Sequence, residues 1–370
     1  MEKAYKFRIY PNDAQERLIQ CTFGCCRFVY NRFLAMRIAA FSTEKKAYNY
    51  NDCSADMTIL KKEFAWLQEV DALALLSALK DLDFAFQGFY RRDKRGEKPG
   101  FPRYKRKHDN RKSFRSKNVG SCIAIQNNYV RLPKLGLVRC AVSKQVEGRI
   151  LSATISQNPS GKYFVSLCCT EETIPQFVRT GAVVGLDLGL TDFAVSSDGY
   201  SYKNHKYLGQ SEKRLKKYQR QLSRKQKGGS NYNKARIKLA KLHEHIANQR
   251  NDTMHKFTTQ LVKDYDMIAI ETLRPMNMLK NKELAKSISD ASWGAFVCQL
   301  EYKARWQHKT LVKVSPFFPS SQICSVCGAQ NPKIKDLRIR KWRCAACGTE
   351  HDRDLNAAKN ILSEGIRLSA

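Results

Sequence analysis

The chain has 370 residues, 42% of them hydrophobic, which is enough for two or three folded units with their own cores and excludes a small disulfide-stapled scaffold. Lys and Arg number 66 against 34 Asp and Glu, a formal net charge of +32; that much positive self-repulsion points to nucleic acid as partner, a merely solvated basic surface being the alternative. No apolar run approaches the ~20 residues needed to cross a bilayer and no signal-peptide pattern opens the chain, so no membrane is expected and a cytoplasmic location is.

Residues 3–9 alternate Tyr5, Phe7 and Ile9 with Lys6 and Arg8, the pattern of a half-buried strand, and Pro11 with Asn12 marks the start of a helix. Ala14, Leu18, Cys21 and Cys25 form one helical stripe, and Leu73, Leu76, Leu79, Leu82 and Phe86 another, so residues 12 to about 90 read as a helical bundle. Thirteen of the 27 residues from 91 to 117 are Lys or Arg, with Phe101, Tyr104 and Phe114 interleaved and Gly96, Pro99, Gly100 and Pro102 opposing a helix. Such a loop can lay charge along phosphates and offer rings to bases.

Residues 122–169 read as short strands joined at an Asn127-Asn128 turn and through Pro159, Ser160 and Gly161. With the first strand they suggest a small β-barrel interrupted by the helical bundle. After Pro175 strands alternate with helices: residues 183–187 and 192–197 as strands joined to a hairpin at Asp198-Gly199, then a long helix pair. Residues 203–250 hold fifteen Lys or Arg and two acids, while Ala235, Leu239, Leu242, Ile246, Phe257 and Leu261 keep an apolar underside in phase. Residues 267–270 read as a strand ending at Glu271, Trp293, Phe296 and Leu300 as a helix, residues 311–314 as a strand and residues 355–363 as a closing helix.

Cys324, Cys327, Cys344 and Cys347 give C-x2-C-x16-C-x2-C, each pair followed by a glycine, Gly328 or Gly348. Four thiolates at that spacing make a tetrahedral zinc site with no open position, hence structural. The other cysteines, among them Cys21, Cys25, Cys26, Cys53, Cys122 and Cys298, are expected as small core residues, and thirteen in all is an odd number that suits a reducing compartment.

The remaining chemistry lies in acids at strand ends: Asp187 inside Gly-Leu-Asp-Leu-Gly, Glu271 directly after Ile-Ala-Ile, and Asp352 and Asp354 in His-Asp-Arg-Asp-Leu-Asn-Ala-Ala. Strands of one sheet would bring such acids together, and phosphodiester hydrolysis by two divalent cations about 4 Å apart needs clustered carboxylate oxygens. Asp354 is preferred to Asp352 because it adjoins the apolar turn of Ala357, Ala358 and Ile361, although Asp354 could instead cap a helix starting at Leu355. There is no G-x-x-x-x-G-K-[ST] loop, no G-x-S-x-G elbow and no G-x-G-x-x-G after a strand, which excludes those chemistries.

Three acidic motifs in this order, with a four-cysteine ribbon between the second and third, resemble the TnpB family, transposon-encoded relatives of type V CRISPR effectors. The stretches 248–256 (Asn-Gln-Arg-Asn-Asp-Thr-Met-His-Lys), 320–324 (Ser-Ser-Gln-Ile-Cys) and 98–105 (Lys-Pro-Gly-Phe-Pro-Arg-Tyr-Lys) also read as that family does, so the resemblance covers nearly the whole chain. It implies a RuvC-type, ribonuclease-H-like nuclease with Asp187, Glu271 and Asp354 as catalytic residues binding two magnesium ions, and one zinc at Cys324, Cys327, Cys344 and Cys347. It also implies a guide RNA transcribed from the element's end, a double-stranded DNA target with a short adjacent motif, and a monomeric protein in its RNA complex.

The architecture expected is α+β and multidomain. A β-barrel (WED-like) spans residues 1–11 and 112–177, an inserted helical domain 12–111, and a RuvC-like domain 178–370 with a zinc ribbon inserted at 320–350. The function expected is RNA-guided DNA cleavage. The alternatives are a recombinase using the same carboxylates, an RNA-guided regulator that binds without cutting, whose mark would be a missing acid, and a plain zinc-ribbon DNA-binding protein.

Overall fold

The computed structural model describes residues 2–44, 48–98, 100–109, 112–170, 174–336 and 338–369; Pro99, Asn110 and Arg111 of the basic segment lie outside the described residues. The chain divides into two units, Met1–Thr173 and Ile174–Ala370.

The first unit opens with strand β1 (Glu2–Tyr10), whose Tyr5, Phe7 and Ile9 turn inward while Lys6 and Arg8 stay out, as period-two patterning requires. Three helices follow: α1 (Asp13–Glu44), α2 (Tyr50–Glu63) and α3 (Ala72–Lys94). Asn49 caps α2 in a reciprocal capping box with Asp52, and Asp71 caps α3 by accepting the Leu73 N–H. Strands β2 (Lys112–Lys117), β3 (Ala124–Gln126), β4 (Tyr129–Leu132), β5 (Gly136–Cys140), β6 (Arg149–Gln157) and β7 (Tyr163–Thr170) complete a seven-stranded antiparallel sheet in the order β2-β6-β7-β1-β5-β4-β3.

The sheet corrects the expected barrel in one respect. Among the described residues its end strands, β2 and β3, do not pair. The seam is instead bridged by Asn118, whose amide donates to the Ile123 and Ile150 carbonyls at 3.2 and 2.9 Å and whose Oδ1 accepts the Ile123 N–H at 2.8 Å. Phe7, Ile155 and Val165 of the sheet share one core with Phe33, Leu75 and Leu79 of the helices, so helices and sheet stabilise each other rather than standing as separate cores.

The second unit is built on a five-stranded sheet. Strands β8 (Val183–Leu188), β9 (Asp192–Ser196) and β10 (Ser201–Lys203) form an antiparallel meander, with Gly199 at φ +90° in the last turn. Helices α4 (Tyr207–Gln210), α5 (Glu212–Ser223) and α6 (Ser230–Asp264) follow, then β11 (Met267–Glu271), which returns parallel to β8. Helices α7 (Pro275–Met278), α8 (Ala285–Ala291) and α9 (Trp293–Trp306) lead to β12 (Thr310–Val314), parallel to β11, giving the order β10-β9-β8-β11-β12. The chain closes with a ribbon of β13 (Lys341–Arg343) and β14 (Glu350–Asp352), and α10 (Arg353–Ser369).

Parallel strands buried on both faces read as continuous apolar runs, as β8 and β11 do. Val184, Leu186, Ile268 and Ile270 face α6 and α9 in a core with Met254, Leu261 and Phe296. Ala269 and Val314 face Ile361 of α10 on the other side. Leu215, Leu242 and Ile246 pack α5 to α6, leaving Lys213, Arg214, Lys216, Lys217 and Arg220 exposed, the basic surface expected of this helix pair. Of the scattered cysteines, Cys25, Cys26, Cys53, Cys140 and Cys169 are buried, but Cys298 is exposed on α9, against expectation: helical phase there turns Phe296 and Leu300 inward and Cys298 out. Among the described residues no helix is long and apolar enough to cross a membrane.

Candidate active site

The placement of the acids follows from strand phase. In the parallel register Gly185 lies beside Ala269 and Leu186 beside Ile270, so Asp187 and Glu271 come one step further on adjacent strands and share a face. It is the face that α10 covers. A Cβ on Gly185 would stand 2.2 Å from the Ala358 carbonyl oxygen and 2.6 Å from the Leu362 nitrogen, and one on Gly365 would stand 2.4 Å from Cβ of Ala269. Only glycine at both positions lets helix and sheet approach this closely. Asp354 lies four residues before Ala358, on the same side of α10 in its first turn.

Electrostatics agree with this placement. The Asp187 carboxyl is pushed up to about 8, first by burial and then by the negative charges of Glu271 and Asp354, with Arg353 and Arg340 acting in the opposite sense. Burial raises the Glu271 carboxyl to about 7, partly offset by the Leu188 backbone N–H donating to it. Arg340 Nη1 stands 3.3 Å from both oxygens of Asp354. The acids are thus electrostatic neighbours, but their oxygens do not all fall within 4.8 Å of one another; among the described residues only the four cysteines form such a group of three or more metal-binding side chains. Glu271 and Asp354 are turned toward donors of their own.

Asp352 has a different task from the one weighed for it. The helix begins at Arg353, two residues before the expected start, and the Asp352 carboxylate accepts the N–H groups of Asp354 and Leu355, both at 3.1 Å. Asp352, not Asp354, therefore caps α10.

The cysteine motif forms two matching knuckles. Cys324 N–H donates to Ala329 and Gly328 N–H to Cys324, each at 2.9 Å; Cys344 with Thr349, and Gly348 with Cys344, repeat the pattern at the same distances. Gly328 at φ +75° and Gly348 at φ +73° supply the left-handed turn each knuckle needs. The Sγ pairs Cys324–Cys347 and Cys327–Cys344 are 3.6 Å apart, close to the ~3.8 Å separating sulfurs at 2.3 Å from a common tetrahedral centre. Thr349 hydrogen-bonds the Cys347 sulfur through side chain and backbone and holds that thiol below its usual range. The cluster suits zinc. His351 Nε2 lies 3.0 Å from Cys324 Sγ, with its ring against Trp342.

Sequence reasoning missed Gly185, Gly365, Arg340, Asn356 and Asn360. A glycine inside an apolar strand is a signal of close backbone approach. Two asparagines one turn apart in a helix, where they are poor formers, signal a tertiary partner.

The fold has solved counterparts. The protein of a Cas12f1–sgRNA–target DNA complex aligns at TM-score 0.63 over 98% of both chains at 13% identity. A Cas-phi3 RNA-guided endonuclease aligns at 0.52 over 98% of this chain and 92% of its own at 9% identity. In fold the chain is thus similar to these two proteins along nearly its whole length. Three family profiles match it: one described as "Probable transposase" (OrfB of IS605) over residues 166–282, a "Cas12f1-like, TNB domain" over 293–361 and a "Helix-turn-helix domain" over 1–46. Within residues 2–44 the structure has β1 and one uninterrupted helix, α1, rather than two helices about a turn.

A Streptomyces pristinaespiralis protein named "Putative RNA-guided DNA endonuclease" is 38% identical over all of this chain and 91% of its own, and InsQ of Escherichia coli K12, named likewise, is 34% identical over 100% and 93%. The chain belongs to the TnpB family.

Proposed function

We propose that this protein is an RNA-guided DNA endonuclease that hydrolyses phosphodiester bonds of target DNA at Asp187, Glu271 and Asp354. The observation that carries the reading is their placement: Asp187 and Glu271 one register step past Leu186 and Ile270 on neighbouring parallel strands, under the helix whose first turn bears Asp354. The strand order, three antiparallel then two parallel, supports a ribonuclease-H-like, RuvC-type core.

An all-oxygen set with a buried carboxyl beside two like charges fits hard divalent cations, whose binding would relieve the repulsion. Two magnesium ions, when bound, would supply activation of the attacking water and stabilisation of the leaving oxygen. Asp187, Glu271 and Asp354 would hold them, Asp187 and Glu271 from the rigid sheet and Asp354 from the helix. Cys324, Cys327, Cys344 and Cys347 would hold one structural zinc.

Guide RNA, heteroduplex and displaced strand are polyanions gripped by shape and backbone, and the exposed Lys and Arg of α5 together with the described part of residues 91–117 supply the charge. Residues 1–11 and 112–177 as a WED-like domain, with the helices of 12–111, would read the motif beside the target; residues 178–370, with the ribbon at 320–350, would cut. The protein acts in the cytoplasm as a monomer in its RNA complex.

The test is to copurify the protein with RNA, sequence that RNA, and offer a matching DNA duplex. RNA-dependent double-strand breaks in magnesium are expected. Products with strands joined to new DNA would favour the recombinase reading that the transposase profile raises, and binding without breaks would favour a regulator.

A further inference from the structure

We propose that the four-cysteine ribbon is a positioning element for Asp354, acting through Asn356 and Asn360; this rests on reading Asp354 as the third metal-binding carboxylate. Asn356 is 1% exposed, and its side chain is used at both ends. Oδ1 accepts the Ser325 N–H at 2.9 Å and Nδ2 donates to the Ile323 carbonyl at 2.7 Å, so it clasps the backbone on either side of Cys324. One turn on, Asn360 Nδ2 donates to the Ile323 and Ser320 carbonyls at 2.6 and 2.7 Å. Both asparagines therefore read the position of the first knuckle.

The other half of the ribbon grips the same turn. The Arg353 N–H donates to the Arg340 carbonyl at 2.8 Å, Arg353 Nη1 donates to the Asp336 carbonyl at 3.2 Å, and the Arg340 guanidinium reaches Asp354. Asp354 precedes Asn356 by about 3 Å of helix rise, so a knuckle that shifts carries the carboxylate with it. Downstream, α10 is fixed independently by Gly185 and Gly365 against the sheet. Loss of the clasp thus frees the end that bears Asp354 while the rest stays docked. A closed knuckle, with its sulfurs on a common metal, presents Ser325 N–H and Ile323 C=O in one place, and the two asparagines pass that rigidity to the acidic site.

The test uses the RNA-loaded full chain with Asn356→Ala, and with Asn360→Ala as a milder variant should the first fold poorly. Zinc content and target binding are expected to stay at wild-type values. The magnesium concentration for half-maximal cleavage should rise about 5- to 10-fold, and hydrogen exchange should quicken at least about tenfold at the amides of residues 354–357 but not at 361–365. An unchanged magnesium midpoint with unchanged exchange overturns the proposal, and so does loss of zinc in both variants, which would make the asparagines part of ribbon folding. If exchange quickens as expected while Asp354→Asn still cuts at the wild-type rate, the assignment of Asp354 fails rather than the clasp, and the positioning role falls with it.

Discussion

Asp352 accepts the backbone N–H groups of Asp354 and Leu355, and thereby closes the helical turn that presents Asp354 to the sheet. Under the proposed function, Asp352 would serve the helix and Asp354 the chemistry. Asp352→Ala should lower stability by about 1 kcal/mol, the usual worth of an N-cap, and slow cleavage only modestly. Asp354→Asn should leave the melting temperature near wild type and end cleavage. Thermal melts and cleavage time courses of the two variants decide it; equal loss of cleavage in both would contradict the division.

Asp187 is held among like charges, so its removal should stabilise the metal-free protein. Its carboxyl lies at about 8 in the folded chain against an ordinary 3.8, so folding favours the protonated form. That contribution is fully present below pH ~4, the unfolded value, and is lost as pH rises through about 8. Asp187→Asn lacks the dependence. In chelator, its melting temperature should exceed wild type by a margin that widens between these pH values, at about 2 to 4 °C per kcal/mol for a unit of this size. A margin constant with pH would argue against a buried, repelled carboxylate.

The contact of α10 with the sheet depends on two absent side chains. Gly185→Ala, with its new Cβ at 2.2 Å from a backbone oxygen, and Gly365→Ala, at 2.4 Å from another Cβ, should each destabilise the second unit by about 1 to 3 kcal/mol or more and impair cleavage. Gly88→Ala in α3, where a Cβ meets nothing within 4 Å, should instead be neutral or stabilise by up to about 1 kcal/mol. Denaturant unfolding of the three variants tests the ordering.

Replacing Cys344 by Ser removes one of four sulfurs and the anchor of the second knuckle. Metal analysis should find zinc lost from Cys344→Ser and about one zinc per wild-type chain, and limited proteolysis should cut the variant faster between residues 320 and 350. A wild-type chain without zinc would contradict the assignment.

What the sequence made legible was local. Asp187 and Glu271 stood out because a charge directly after an apolar strand needs a partner, and Cys324, Cys327, Cys344 and Cys347 because both knuckles repeat one spacing. α10 starts two residues before the expected position because an aspartate at 352 can cap a helix as well as one at 354, and only the fold shows which carboxylate turns back on the helix. Pairings across the chain were not readable either. The partners of Asn356 lie more than 30 residues away, β1 pairs with β5 and β7 through register that no local pattern encodes, and Cys298 is exposed because of the phase of α9 rather than its apolar neighbours.

The most direct measurement is the rate at which RNA-loaded Asp187→Asn cuts a guide-matched duplex in magnesium, with target binding followed on the same sample. Binding should persist at wild-type affinity while cleavage falls by at least about a thousandfold, a loss of some 4 kcal/mol in transition-state stabilisation. Cutting by this variant at the wild-type rate would show that the carboxylates under α10 are not where the DNA is hydrolysed.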